Sequence, residues 1–382
     1  MGFSCGIVGL PNVGKSTIFN AITRSSVPAA NYPFCTIEPN VGIVPVPDPR
    51  LDALARLVPT EKIVPTTLRF VDIAGLVKGA STGEGLGNQF LGHIAEVEAI
   101  AHVIRCFEDP DVVHVSGTVD PRRDVEVITT ELALRDLAVV TTTVGRLERQ
   151  AKSGDKKAAA VVEVLRRVTA ALDQGQPART VTRTLTPDEW AIVKPLNLIT
   201  AKPMLYVANV GEADAAAAGG SGATAREPAA APSSPAVQAV QQLAAAEGVP
   251  AVAICGAIEQ QIAALESESE RAEYLAAVGL TEPGLHRLVR AGYDLLGLIT
   301  FFTVGPKEDR AWTIRRGTKA PQAAGVIHSD FERTFIRAEI IGYDDFLACG
   351  SEAAAKEQGK LRLEGKDYVI QDGDLLHFRV GV

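Results

Sequence analysis

A chain of 382 residues, 46% hydrophobic and 22% charged, has enough apolar material for two or three buried cores, which excludes disorder throughout. No run approaches the roughly 20 uncharged apolar residues of a membrane span, and a net charge of −8 excludes a protein coated in basic residues while leaving room for a local basic patch. The five cysteines (Cys5, Cys35, Cys106, Cys255, Cys349) form no Cys-x-x-Cys pair, so buried, reduced thiols in a cytoplasmic protein are expected. Met1 to Gly6 lacks the basic start and apolar length of a targeting segment.

Over the first 125 residues, predicted strands alternate with helices. Cys5 to Val8 is an apolar run ending in a glycine-rich turn, and a helical pattern begins at Ser16. Leu68 to Asp72 and Ala101 to Phe107 are further strands, and the alternation implies a mostly parallel α/β sheet. From Val125 to Leu172, apolar residues recur at helical spacing on both sides of Ser153-Gly154-Asp155, which predicts a helical hairpin. Its basic run from Arg146 to Arg167, including Lys156, Lys157 and Arg166, is either a solvated face or a surface for RNA phosphates. Met204 to Asn209 is another strand. Ala213 to Ala236, rich in Ala, Gly, Ser and Pro, reads as a flexible loop before a helix (Val237 to Glu247) and a strand (Val252 to Cys255). From about Thr300 the chain is β-rich, with strands at Phe301 to Val304, Trp312 to Ile314 and Phe335 to Ile341. A final hairpin is expected over Tyr368 to Phe378, turning at Asp372-Gly373-Asp374, and one helix near Ala323 to Phe331. Local cations at Arg310, Arg315, Arg316 and Lys319 make this small α+β domain either a second RNA-facing surface or a protein-binding module.

The strongest motif is Gly9-Leu10-Pro11-Asn12-Val13-Gly14-Lys15-Ser16-Thr17, which matches G-x-x-x-x-G-K-[ST] between a strand and a helix. Gly9 and Gly14 let the backbone N–H groups face phosphates, and the helix N-terminus adds positive potential. Lys15 is expected to reach the β- and γ-phosphates and Ser16 to ligate Mg²⁺, with Asn12, Val13, Gly14 and Thr17 completing the phosphate-binding set. Asp72-Ile73-Ala74-Gly75 ends a strand. Asp72 is a second Mg²⁺ residue there, and the Gly75 N–H is placed to report the γ-phosphate. Thr36 lies where a switch threonine would reach the same ion. Asn209-Val210-Gly211-Glu212 stands where a guanine reader N-K-x-D is expected. Glu212 displaces the carboxylate that would accept from guanine, and Asn209 can pair with an N6/N7 edge, so the motif favours adenine or has lost guanine specificity.

These motifs, together with Phe34 to Asn40, Asp72 to Ala80 and Gly83-Glu84-Gly85-Leu86-Gly87-Asn88, resemble the Obg-like P-loop NTPases, closest to the YchF subgroup. The resemblance implies a G domain in two parts (1–125 and 199–298, with the loop 213–236), an inserted helical hairpin (126–198) and a C-terminal TGS-like domain (299–382). It also implies ATP binding and hydrolysis and association with the ribosome or translation factors, with neither a membrane nor sequence-specific DNA as partner. Phe107 matches the position where the family packs an aromatic ring on adenine. Leu76 stands where many related GTPases place a water-orienting Gln, and Leu has no polar group to do this. His114 is therefore the candidate to orient water, ahead of His93 and His102, which sit within predicted helix or strand. Asn12 matches the position where related cation-dependent NTPases hold K⁺. Three readings stay open: a slow ATPase switch, an ATP-sensing binding protein that barely hydrolyses, and a GTPase with relaxed base specificity.

Overall fold

Residues 3–25, 40–73, 96–219 and 234–381 are described in a computed structural model. Thr36, Gly75, Leu76 and His93 lie outside them. In chain order the elements begin with β1 (Ser4–Val8), α1 (Lys15–Arg24), β2 (Val41–Pro45), α2 (Pro49–Leu57), β3 (Ile63–Val64), β4 (Thr67–Asp72) and β5 (Ala99–Cys106). Then come α3 (Pro121–Lys152), α4 (Lys156–Asp173), α5 (Arg179–Thr182), α6 (Pro187–Val193), β6 (Met204–Val210), α7 (Glu212–Gly219), α8 (Pro235–Glu247), β7 (Ala251–Ile254), α9 (Gly256–Ile262), α10 (Glu268–Ala277) and α11 (Gly284–Leu295). The last stretch holds β8 (Leu298–Thr303), β9 (Asp309–Arg315), α12 (Ala320–Ile327), α13 (Ser329–Thr334), β10 (Phe335–Ile341), α14 (Tyr343–Cys349), α15 (Glu352–Glu357), β11 (Arg362–Glu364) and β12 (Leu375–Val380).

The chain divides into two units, residues 3–42 with 69–291 and residues 43–68 with 292–381. One six-stranded sheet has the order β2-β4-β1-β5-β6-β7, of which β1, β5, β6 and β7 lie wholly in the first unit, and β1 pairs in parallel with both β4 and β5. Every residue of β1, β5 and β6 is buried, which is why these strands read as continuous apolar runs rather than alternating ones. Because β1 has a neighbour on each side, the loop that follows it opens at the point where the strand order reverses, the usual place for a ligand in a parallel sheet.

The hairpin is set by its ends. Asp120 caps α3 by accepting from the N–H groups of Arg122 and Arg123, with Pro121 in the first turn, and Asp155 caps α4 in the same way through Lys157 and Ala158. Val140, Leu165, Val168 and Leu172 pack between the two helices. Asp136, fully buried, accepts from the backbone of Ile199 and from the N–H and hydroxyl of Thr200, which ties α3 to the turn before β6.

The second unit carries the sheet β11-β10-β12-β8-β9-β3. Three expectations change here. Segment 43–68, expected in the first part of the G domain, packs with the C-terminal residues: Leu51 and Leu54 share a core with Phe302, Ile341 and Phe346. The expected final hairpin is absent, because β12 pairs antiparallel with β10 and parallel with β8. The Asp372-Gly373 turn instead binds β8, with Asp372 accepting from the Thr300 N–H and Gly373 donating to the Thr300 carbonyl. Four helices, not one, interrupt the strands, and the expected Ala323–Phe331 helix is split into α12 and α13 at His328.

Of the loop expected over 213–236, residues 220–233 lie outside the described residues. Its first residues are helical as α7, and its end joins α8. Alanine has the highest helix propensity of any residue, which accounts for the helix over the alanine run at 215–218.

Candidate nucleotide site

A cleft of about 820 Å³ opens at the carboxyl ends of β1, β5, β6 and β7, lined among others by Asn12, Lys15, Phe107, Asn209, Glu212 and Cys255. Its volume suits a nucleotide-sized ligand. Gly14, Ser16, Thr17, Val210 and Gly211 also line it, while Val13 is buried beneath the loop.

The loop has its shape for local reasons. Gly14 takes φ +86 as the N-cap of α1, and a Cβ there would sit 2.0 Å from Asn209 Nδ2. A Cβ on Gly9 would meet the Val103 carbonyl at 2.7 Å. Only glycine fits both positions. Lys15, mostly buried, pairs with the Asp72 carboxylate at the end of β4, and Ser16 is exposed at the mouth of α1. The structure therefore pairs the Lys15 cation with the Asp72 carboxylate and leaves the neighbouring Ser16 hydroxyl on the cleft lining. Ser16 and Asp72 supply the hard oxygen donors that Mg²⁺ prefers.

At the other end, Phe107 is held by a residue that sequence reasoning missed. Arg105 is almost fully buried. It donates through Nε to the Phe107 carbonyl at 3.1 Å and reaches the carbonyls of Asn12 and Asp109 at 3.4 Å. Its guanidinium lies 4.5 Å from the Phe107 ring centroid, so one cation stacks on the ring and braces the loop beneath it. The available signal was a single Arg near the end of an otherwise uncharged strand.

Asn209, expected to pair with a base edge, lines the cleft and also bonds to the backbone. It is 4% exposed. Nδ2 donates to the Val13 carbonyl at 2.9 Å and Oδ1 accepts from the Gly256 N–H at 3.0 Å. The carboxamide thus joins the loop after β1 to the start of α9 with one N–H and one lone pair, and keeps a second N–H. Glu212 is exposed in the first turn of α7, on the cleft wall.

His114 is not among the residues lining the cleft. Nε2 lies 2.9 Å from Asp124 Oδ2, and Nδ1 accepts from the Ser116 N–H. Asn12, at φ 62, donates through Nδ2 to the Val113 carbonyl at 3.0 Å. His102 is inert: burial, followed by the Arg179 charge, holds it down to about 3, so it stays neutral. Cys106 is also set aside, because burial first and then Asp124 and Asp214 push its thiol up to about 12.

Several cations expected to meet RNA are already engaged. Arg166 pairs with Glu148 at 2.7 Å and Arg167 with Glu189 at 2.5 Å. In the C-terminal unit Lys319 pairs with Asp367, and Arg310 stacks 4.1 Å from the Trp312 ring centroid. Arg146, Arg149, Lys152, Lys156 and Lys157 are exposed along the hairpin.

Comparison with known proteins agrees with this geometry. The family model YchF-GTPase_C, described as a protein of unknown function, matches residues 298–381, and MMR_HSR1, described as a 50S ribosome-binding GTPase, matches residues 4–142. The curated protein "Ribosome-binding ATPase YchF" of Haemophilus ducreyi is 54% identical over 382 residues, covering 100% of both chains. The chain belongs to the YchF family. The Bacillus subtilis protein of the same name is 51% identical over the same span, again covering 100% of both chains. A solved structure titled as the Schizosaccharomyces pombe YchF GTPase superposes with a TM-score of 0.84 at 37% identity, covering 99% of this chain and 98% of that one. The fold is thus a P-loop G domain with a helical insertion and a C-terminal YchF domain. No helix among the described residues is long and apolar enough to cross a membrane.

Proposed function

We propose that this chain is a ribosome-binding ATPase that hydrolyses ATP to ADP and phosphate as a slow nucleotide-dependent switch in the cytoplasm. The observation that carries the reading is the cleft that gathers Gly14, Lys15, Ser16, Phe107 and Glu212 at the carboxyl ends of the strands. Relatives matching the whole chain at 54% and 51% identity carry the name of a ribosome-binding ATPase and support it.

In this reading the N–H groups of Asn12 to Thr17 cradle the phosphates, and the triphosphate competes with Asp72 for the Lys15 ammonium. Ser16, Asp72 and Thr36 would hold Mg²⁺, which when bound neutralises charge between the β- and γ-phosphates. Gly75 would report the γ-phosphate. Phe107 stacks on adenine, while Val210 and Glu212 close the edge of the base site and Asn209 braces the floor. Glu212 is one methylene longer than the aspartate of N-K-x-D, which moves its carboxylate away from the paired donors of guanine and favours ATP over GTP. His114 orients the attacking water in place of the missing Gln. K⁺ belongs to the same proposal, because Oδ1 is the only side-chain atom of Asn12 suited to a cation. The exposed hairpin cations supply phosphate contacts to ribosomal RNA.

Single-turnover hydrolysis of ATP with and without ribosomes and K⁺, alongside ATP and GTP affinities by calorimetry, tests the reading. ATP binding at least as tight as GTP, with hydrolysis accelerated by ribosomes, is expected. Tight GTP binding without ATP binding overturns the nucleotide assignment. ATP binding with no hydrolysis under any condition leaves an ATP-sensing protein instead of an enzyme.

A further inference from the structure

His114 is held from both sides. Its side chain and that of Asp124 are each only 2% exposed. Because Nδ1 accepts the Ser116 N–H at 3.1 Å, the ring carries its proton on Nε2 and donates it to Asp124 Oδ2 at 2.9 Å. Asp124 Oδ1 has no hydrogen-bond partner among the described residues, and Arg123 Nε stands 3.7 Å away. A carboxylate taken out of water with one good partner is committed to that partner. Burial pushes the Asp124 carboxyl up, and the imidazole opposes this. One residue earlier, the Val113 carbonyl is clipped to Asn12 of the phosphate loop. The segment that carries the imidazole is therefore pinned at one point to the nucleotide cleft and at another to the first turn of α3, the helix that becomes the hairpin.

We infer that Asp124 is a positioning residue for hydrolysis: it holds the His114 imidazole against α3 and out of the nucleotide cleft, and turnover requires this bond to open. The inference rests on the reading of His114 as the water-orienting group. Opening costs the hydrogen bond but exposes the ring in the tautomer it already has, with Nδ1 as the acceptor once the Ser116 contact is released. Removing the carboxylate therefore speeds the reaction, whereas loss of a merely structural buried pair does not.

The test is single-turnover ATP hydrolysis at saturating ATP, with ATP affinity by calorimetry, for wild type, Asp124→Ala, Asp124→Asn, His114→Ala and the Asp124→Ala/His114→Ala double variant. Asp124→Ala is expected to raise the rate about tenfold at unchanged affinity, the shift that a charge-assisted hydrogen bond supports. Asp124→Asn, whose amide oxygen still accepts from Nε2, gives a smaller rise, and the double variant falls to the His114→Ala rate. An Asp124→Ala variant that binds ATP normally and turns over no faster than wild type overturns the inference, as does a double variant that keeps the gain. If Asp124→Ala does not bind ATP, Asp124→Asn decides, and an unchanged rate at intact affinity overturns it. A His114→Ala variant as fast as wild type instead removes the catalytic reading of His114. A slow His114→Ala beside an unaccelerated Asp124→Ala removes only the role of Asp124.

Discussion

The phosphate end of the cleft and its base end are built in different ways. At the phosphate end, nine consecutive residues, Gly9 to Thr17, contain nearly everything the chemistry needs. The left-handed turn at Gly14, the cation of Lys15 and the hydroxyl of Ser16 follow one another along the backbone. At the base end, Phe107 follows β5 while Asn209 and Glu212 stand at the end of β6 and the start of α7, and the side chains that brace this end bond to residues far away in sequence. Asn209 reaches back to Val13, and Arg105 reaches back to Asn12. A motif whose geometry is local can be read from residue types alone. A motif assembled by the sheet names the residues but not what their polar atoms are bonded to.

The largest expected effect falls on the locally built end. Lys15→Ala removes the one cation of the phosphate loop and leaves Asp72 facing the triphosphate without its partner. Losing one member of a buried charge contact costs about 2–5 kcal/mol, so ATP affinity by calorimetry should fall at least about 30-fold. Retained affinity would show that the phosphates bind elsewhere and would dissolve the distinction between the two ends.

Asn209→Ala tests the distributed end more sharply. It leaves the Val13 carbonyl and the Gly256 N–H without their partner in a buried place, at a cost of about 2–3 kcal/mol of stability. The denaturation midpoint should fall accordingly. If the brace is the main work of Asn209, ATP and GTP affinities should drop by the same factor. A drop for ATP alone would return Asn209 to the base-reading role that its sequence position suggested.

The same division explains what was legible elsewhere. The buried strands β1, β5 and β6 and both hairpin helices stand in the sequence as apolar runs and capped 3.6-residue periods, and the structure has them within a few residues of the expected ends. The placement of 43–68 was not legible. Leu51 and Leu54 have the spacing of any amphipathic helix, and nothing local says that Phe302 and Phe346 complete their core. Asp372-Gly373-Asp374 reads as a hairpin turn by composition, yet the Asp372 carboxylate accepts from Thr300 and Arg50 and the Gly373 N–H donates to Thr300. His114 was legible as a polar group in the loop after β5, but its commitment to Asp124 was not, because an acid in the first turn of a helix ordinarily serves the helix dipole.

The smallest effect is the most discriminating, because it asks whether base choice resides in the motif or in the assembled cleft. Gly211→Lys with Glu212→Asp restores the guanine-reading pattern in sequence. The space permits it: a Cβ at residue 211 would lie 3.7 Å from the Phe107 Cβ, an ordinary contact, and Glu212 is exposed on the cleft wall. The shortened carboxylate could then accept the two guanine donors, and the lysine stem would lie beside the base. The floor set by Asn209 and the stacking ring braced by Arg105 stay as they are. The preference between ATP and GTP should move toward GTP by about 1 kcal/mol, the value of one gained polar pairing, while the sum of stacking contacts is unchanged. Phe107→Ala provides the control: it should weaken ATP and GTP alike, by about 1–3 kcal/mol per stacked base. If the double variant leaves the ratio of affinities untouched while Phe107→Ala changes it, specificity lies in the ring and its Arg105 support rather than in the four-residue motif.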